Sequence, residues 1–238
     1  KLYCFKLMQN FIYLLLFFFI ISCKSKPKGK STSIGKVNNG SLINGSKFSY
    51  KGENYSYFSS TSYFILNRCY VNDKVKKVTL KAYQNLYKKF PKQKWGIMEC
   101  SRRHGGKMKP HRTHQNGTSI DFMTPMIWVK SKKQYRWKSH LGIWHYLLTF
   151  DQDGYLNKRK NVQIDFDMLA YHILELNKEA KAEGISIKKV LLKINLKDNL
   201  FKSKIGAKLK NSGIYFAKYL TPMVDNMHDD HYHIDFGI

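Results

Sequence analysis

Residues 228 to 238 read HDDHYHIDFGI, and the alternation inside this run decides how the chain folds around its chemistry. Successive side chains of a strand point to opposite faces, so His231, His233 and Asp235 share one side while Tyr232, Ile234 and Phe236 share the other. One face is polar and the other apolar. This pattern predicts a strand over 231–238 whose apolar side packs on a core and whose polar side lines a cleft.

Working outward, three further runs read as strands: KWGIMEC (94–100), TSIDFM (118–123) and KVLLKI (189–194). VTLKAYQNLYKKF (78–90) places Val78, Ala82, Leu86 and Phe90 on one side of a helix that Pro91 ends. FDMLAYHILELNKEAKAEG (166–184) repeats the period with Met168, Leu169, His172, Ile173 and Leu176, and Gly184 supplies its stop. His172, on the apolar side, reads as a core histidine in preference to a ligand. Strands and helices alternate without a regular βαβ repeat, so the expected class is α+β, a mainly antiparallel sheet flanked by helices.

The chain has 238 residues, of which 43% are hydrophobic and 15% aromatic, which excludes a disordered protein and suits one domain. FIYLLLFFFIIS (11–22) is short for a membrane span and right for the apolar part of a signal peptide. Ile20, Ile21 and Ser22 before Cys23 resemble a bacterial lipobox, so lipidation is expected at Cys23; a plain anchor or a cleaved secretory signal is the alternative. The expected organisation is a lipoprotein signal segment over 1–23, a flexible tether over 24–35 (KSKPKGKSTSIG) and a folded domain over 36–238. Such a domain would be exported and held at a bacterial membrane by its lipid, in the periplasm. Cys69 and Cys100 are then left either to pair as a disulfide or to stay as two buried thiols. The formal net charge of +26 favours anionic surroundings. The lysines are scattered, and no compact basic motif with interleaved aromatics is present, so nucleic acid is not an expected partner.

A second stretch carries the same side-chain chemistry. HRTHQNGTSIDF (111–122) sets His111, His114 and Asp121 around Gly117, whose conformational freedom permits the turn that brings the carboxylate back beside the imidazoles. With His228, His231 and His233, five of the nine histidines fall in these two segments. Imidazole and carboxylate bind zinc, and a donor set without cysteine is that of a catalytic site, which keeps a position open, in preference to a closed structural one.

His-x6-Asp followed far downstream by His-x-His resembles the zinc peptidase group that includes lysostaphin-type endopeptidases, D-Ala-D-Ala dipeptidases and the hedgehog amino-terminal domain. RRHGGKMKPHRTHQNGTSIDF (102–122) and HDDHYH (228–233) are more closely similar to the penicillin-insensitive murein endopeptidases, with weaker similarity in GSLINGSKF (40–48) and VLLKINLKDNLFKSK (190–204). The resemblance implies a hedgehog-like fold and one Zn2+ held by His114, Asp121 and His233, with His111 as a further ligand. It implies that His231 is the catalytic base or transition-state stabiliser, with His228 nearby. The implied substrate is the D-alanyl to diaminopimelyl cross-link of peptidoglycan. Asp235 either orients an imidazole as its acceptor or is a solvated carboxylate. Two departures stand out: Ser119 replaces an acidic residue common in the family, and Tyr155 and Leu156 follow Asp153–Gly154 where a second metal site would need a histidine. A zinc D,D-carboxypeptidase or dipeptidase, and a non-catalytic basic lipoprotein that binds murein or nucleic acid, are the rival readings. Trp95, Trp128, Trp137, Trp144 and Tyr232 read as core residues sooner than as a substrate groove.

Overall fold

The computed structural model describes residues 29–136 and 142–238. The apolar run 11–22, the lipidation candidate Cys23 and Trp137 lie outside the described residues. The chain opens with a hairpin of β1 (Thr32–Lys36) and β2 (Asn39–Ile43), followed by β3 (Ser46–Lys47), β4 (Tyr55–Tyr57) and β5 (Tyr70–Val71), the last paired with β3. Helix α1 (Asp73–Lys89) leads to β6 (Trp95–Ile97), β7 (Ser119–Met123) and β8 (Met126–Trp128). β9 (Tyr155–Leu156) and β10 (Arg159–Ile164) join β8 in a three-stranded antiparallel sheet. Helix α2 (Phe166–Ala182), β11 (Ser186–Leu191), the short helices α3 (Lys197–Lys202), α4 (Gly206–Lys210) and α5 (Pro222–Asn226), and β12 (His231–Gly237) complete the order. The main sheet runs β11-β12-β7-β6-β4, antiparallel except between β4 and β6. The class is mixed α+β with several antiparallel sheets and a few helices.

Both helices appear where the apolar period predicted them, and α1 begins five residues earlier, at Asp73. Its start is set by a cap, because the Asn72 side chain accepts from Lys74 N at 3.0 Å. Asp165 caps α2 in the same way through Met168 N at 3.0 Å. The two helices pack together over the apolar face of the main sheet, where Val78, Ala82, Leu169, Ile173 and Leu176 meet Ile120, Phe122, Tyr232 and Ile234 in one core. His172 stands among them with its ring 5.1 Å from Tyr83 and 4.7 Å from Trp95, and its Nδ1 bonds the Tyr232 hydroxyl. Burial lowers its pKa to about 3, so it is a neutral core histidine.

The structure corrects two expectations and decides a third that the sequence leaves open. The tether over 24–35 is too long, since Thr32–Lys36 is strand. Composition hides this because the Ser- and Lys-rich segment gains its order from partners far away: Ser31 N donates to Asp73 Oδ2 at 2.7 Å, and Asp73 N returns a bond to Ser31 Oγ at 2.6 Å. Of the two alternatives left for Cys69 and Cys100, the structure shows the second, two buried free thiols. Each is packed as a small apolar group, Cys69 Sγ donating to the Tyr63 carbonyl at 3.6 Å, and burial pushes the Cys69 thiol up to about 11. Trp95 and Tyr232 are core residues as expected, whereas Trp144 is 63% exposed because its short helical turn projects it from the surface. Among the described residues, no helix is long and apolar enough to cross a membrane.

Candidate metal centre

The polar face of the β7–β12 ladder and the loop before β7 build one site. The register pairs His233 with Asp121, Asp235 with Ser119 and His231 with Met123. Asp121 therefore arrives beside the imidazole of a residue more than a hundred positions away. The loop from Ser101 to Thr118 covers this face and is moulded by its glycines. Gly105 sits so close to the opposite strand of the loop that a Cβ would lie 2.1 Å from the Gln115 carbonyl. The same carbonyl accepts Gly106 N at 2.9 Å, and Gln115 N donates to Val37 O at 2.9 Å, so the first hairpin braces the loop from outside. Asn116 Nδ2 reaches Gly35 O at 3.1 Å, and its Oδ1 accepts from Thr118 N and Oγ1. Between these anchors His114 adopts a left-handed backbone, φ 66°, unusual for a residue with a Cβ.

Three side chains of this site could hold a metal ion. Ligand atoms of His111, His114 and Asp121 all lie within 4.8 Å of one another. His114 Nε2 is 3.2 Å and His111 Nδ1 3.6 Å from Asp121 Oδ2. His114 is completely buried, yet neither of its ring nitrogens makes a hydrogen bond with any described residue, and Asp121 Oδ2 is likewise unbonded. Buried polar atoms without partners are costly, and here His114 Nε2 and Asp121 Oδ2 face one another. A cation between them would satisfy both. Two imidazoles and a carboxylate are hard-to-borderline donors that suit zinc and also other divalent transition metals.

His233, expected as a ligand, is not one of these three. Its Nδ1 donates to Asp121 Oδ1 at 2.7 Å and its Nε2 to Asp235 Oδ1 at 2.7 Å. Both ring nitrogens are thus taken by carboxylates supplied by the ladder, an outcome that residue spacing does not reveal. Asp235 also accepts from Ser119 Oγ at 2.6 Å and pairs with Lys189 at 3.1 Å. Ser119 is thereby given a carboxylate from the neighbouring strand. His231 donates from Nδ1 to Asp230 Oδ1 at 2.7 Å, and the His228 ring lies tilted beside it with centroids 4.8 Å apart while its Nδ1 donates to Val224 O.

The charge pattern follows from burial and neighbours. Burial would raise the Asp121 carboxyl, but His114 and His233 hold it well below the usual range. Burial opposes protonation of His233, yet Asp235 and Asp121 lift its pKa to about 10. His111 is driven by burial down to about 3 against the pull of Asp121, so its ring is neutral and has a lone pair to offer. Burial and then His231 lower His228 to about 4. For His231, burial pulls down, but the charge and hydrogen bond of Asp230 together with the charge of Asp121 outweigh it and leave its pKa above the ordinary value.

Four residues of this neighbourhood escaped sequence reading. Asp230 was the most accessible, since HDDHYH sets it beside His231. Arg68, Glu99 and Tyr146 come from elements with no motif: Arg68 Nη2 donates to Lys109 O in the loop at 2.7 Å, and its Nη1 lies 3.6 Å from Glu99 Oε1. Burial pushes Glu99 up to about 7 despite Arg68. The Tyr146 ring meets His231 edge-on at 5.6 Å. No protein-family model matches the chain, and no curated protein matches it.

Proposed function

We propose that the chain is a zinc metallo-endopeptidase that cleaves D-alanyl to diaminopimelyl cross-links of peptidoglycan, on a hedgehog-like α+β scaffold. The observation that carries the reading is the convergence of His111, His114 and Asp121, with the facing His114 Nε2 and Asp121 Oδ2 buried and without hydrogen bonds among the described residues, against the terminal strand bearing His231 and His233. His111, His114 and Asp121 would hold the ion, and His233 would join them by exchanging its bond to Asp121 for the cation. Bound zinc would acidify a water and polarise the peptide carbonyl. His231 is oriented for proton transfer, because Asp230 occupies its Nδ1 and leaves Nε2 to pass a proton to the leaving amine. Its raised pKa keeps that proton available near neutral pH. Asp235, itself held by Ser119, bonds His233 Nε2 and so orients the Nδ1 that would turn to the ion. A basic, exported and lipid-anchored protein belongs beside an anionic wall polymer, which is the place this reading assigns it.

The test is mass spectrometry of cross-linked muropeptides incubated with the purified protein, with and without a chelator. Chelator-sensitive conversion of dimers to monomers is expected; release of free D-alanine without dimer cleavage would show a carboxypeptidase, and binding without cleavage a non-catalytic protein. His114→Ala should lose both zinc and cleavage. His231→Ala should lose most cleavage while its zinc content stays close to the wild type, and loss of zinc would make His231 a ligand.

A further inference from the structure

The hydroxyl of Tyr146 is a buried donor that the mechanism above leaves unused. No described residue hydrogen-bonds it, although burial and the carboxylates of Glu99, Asp121 and Asp230 hold its pKa well above the usual value, so the phenol keeps its proton. Its position is built from both sides. Tyr146 lies on the helical turn Gly142–Leu147, next to His145, whose Nε2 donates to the Asp230 carbonyl at 3.1 Å. Just beyond the turn, Phe150 N donates to Asp229 Oδ2 at 3.2 Å. The turn is therefore clamped to Asp229 and Asp230, the two residues that precede His231. That clamp sets the Tyr146 ring edge-on to His231 at 5.6 Å, and Phe58 packs against its other side at 5.6 Å. Leaving a hydroxyl buried and unbonded is costly in a core, and a fixed one beside acid–base residues is pre-organised for a ligand.

We propose that Tyr146 contacts the substrate directly, its Oη–H donating a hydrogen bond to the carbonyl oxygen of the peptide bond held at the His111–His114–Asp121 cluster. The inference rests on the peptidase reading and adds a donor from a separate element of the fold. The bond strengthens as charge develops on that oxygen, so the residue acts on turnover more than on binding of the ground state.

The experiment compares wild type, Tyr146→Phe and Tyr135→Phe, each zinc-equilibrated, by kinetics on muropeptide dimers and by calorimetric binding of a phosphinate isostere of the D-alanyl peptide bond. Tyr135 is the control because its hydroxyl is also buried and unbonded among the described residues, but it packs against Trp128 away from the site. For Tyr146→Phe, kcat should fall on the order of 100-fold with KM within about twofold, and phosphinate affinity should fall comparably, at unchanged zinc content. Tyr135→Phe should match the wild type. A near-ultraviolet tyrosine difference spectrum on phosphinate binding, present in the wild type and absent from Tyr146→Phe, reads the same contact without turnover. Wild-type turnover and phosphinate affinity in Tyr146→Phe would overturn this inference and leave the peptidase reading standing. A wild type that neither cleaves dimers nor binds the phosphinate would overturn both.

Discussion

Gly117 shows how narrowly single residues shape the site. Its backbone is left-handed, φ 76°, and a Cβ there would lie 2.7 Å from Leu42 Cδ2 and 3.2 Å from Asn72 N. Gly117 O accepts Asn72 N at 2.8 Å, so the residue also joins the histidine-bearing loop to the cap of α1. Gly117→Ala should lower stability by roughly 1–3 kcal/mol, from the backbone conformation and the forced shift of Leu42. Urea unfolding at equal zinc content measures it, and an unchanged midpoint would show that the loop absorbs the methyl group. His114 pays a similar backbone cost without a glycine's freedom. That expense is understandable where the side chain must reach Asp121 from within the loop, a form of strain that gathers at functional sites.

At the scale of elements, α2 docks on the main sheet through a group that changes charge with pH. His172 is fully buried, and its pKa is depressed to about 3 while the unfolded chain titrates near 6.5. The unfolded state therefore takes up a proton below pH 6.5 that the folded state refuses, so stability is complete above that value and declines as pH falls toward 3. The full term is roughly 5 kcal/mol by linkage. Urea midpoints of the chelated protein should fall from pH 7.5 to pH 4.5, and His172→Phe should flatten the slope over that window. An equally steep slope in the variant would assign the acid sensitivity to other groups. The position of this helix was legible from its period, as was the face that carries Leu169, Ile173 and Leu176. The partner of His172 was not, because Tyr232 reaches it only once β12 lies under the helix.

Across the whole molecule, 42 basic residues face 16 acidic ones. Several of the acids are buried in or beside the site, namely Asp121, Asp229, Asp230, Asp235 and Glu99, so they do little to balance surface lysines. Exposed pairs such as Lys77–Glu183 and Lys160–Asp151 are worth little individually. Net repulsion dominates, and salt screens it over about 10 Å at 0.1 M. The thermal midpoint should accordingly rise by a few degrees between low and about 0.5 M NaCl. A fall would mean that favourable surface pairing outweighs the excess charge.

The sequence alone determined what local rules control. Side-chain alternation placed β12 and divided its faces, helical periodicity placed α1 and α2, and the crowding of histidines into two segments marked where the candidate metal site lies. Tertiary structure decided the rest. It turned part of a Ser- and Lys-rich segment into a hairpin that braces the histidine-bearing loop, kept Cys69 and Cys100 as core thiols, and set Arg68, Glu99, Tyr146 and Asp230 around the cluster. It also gave both nitrogens of His233 to carboxylates, leaving His111, His114 and Asp121 as the group that converges. The physical reason is that periodicity reports only neighbours along the chain, whereas the partner of each buried polar atom is chosen by strand register and loop closure over a hundred residues or more.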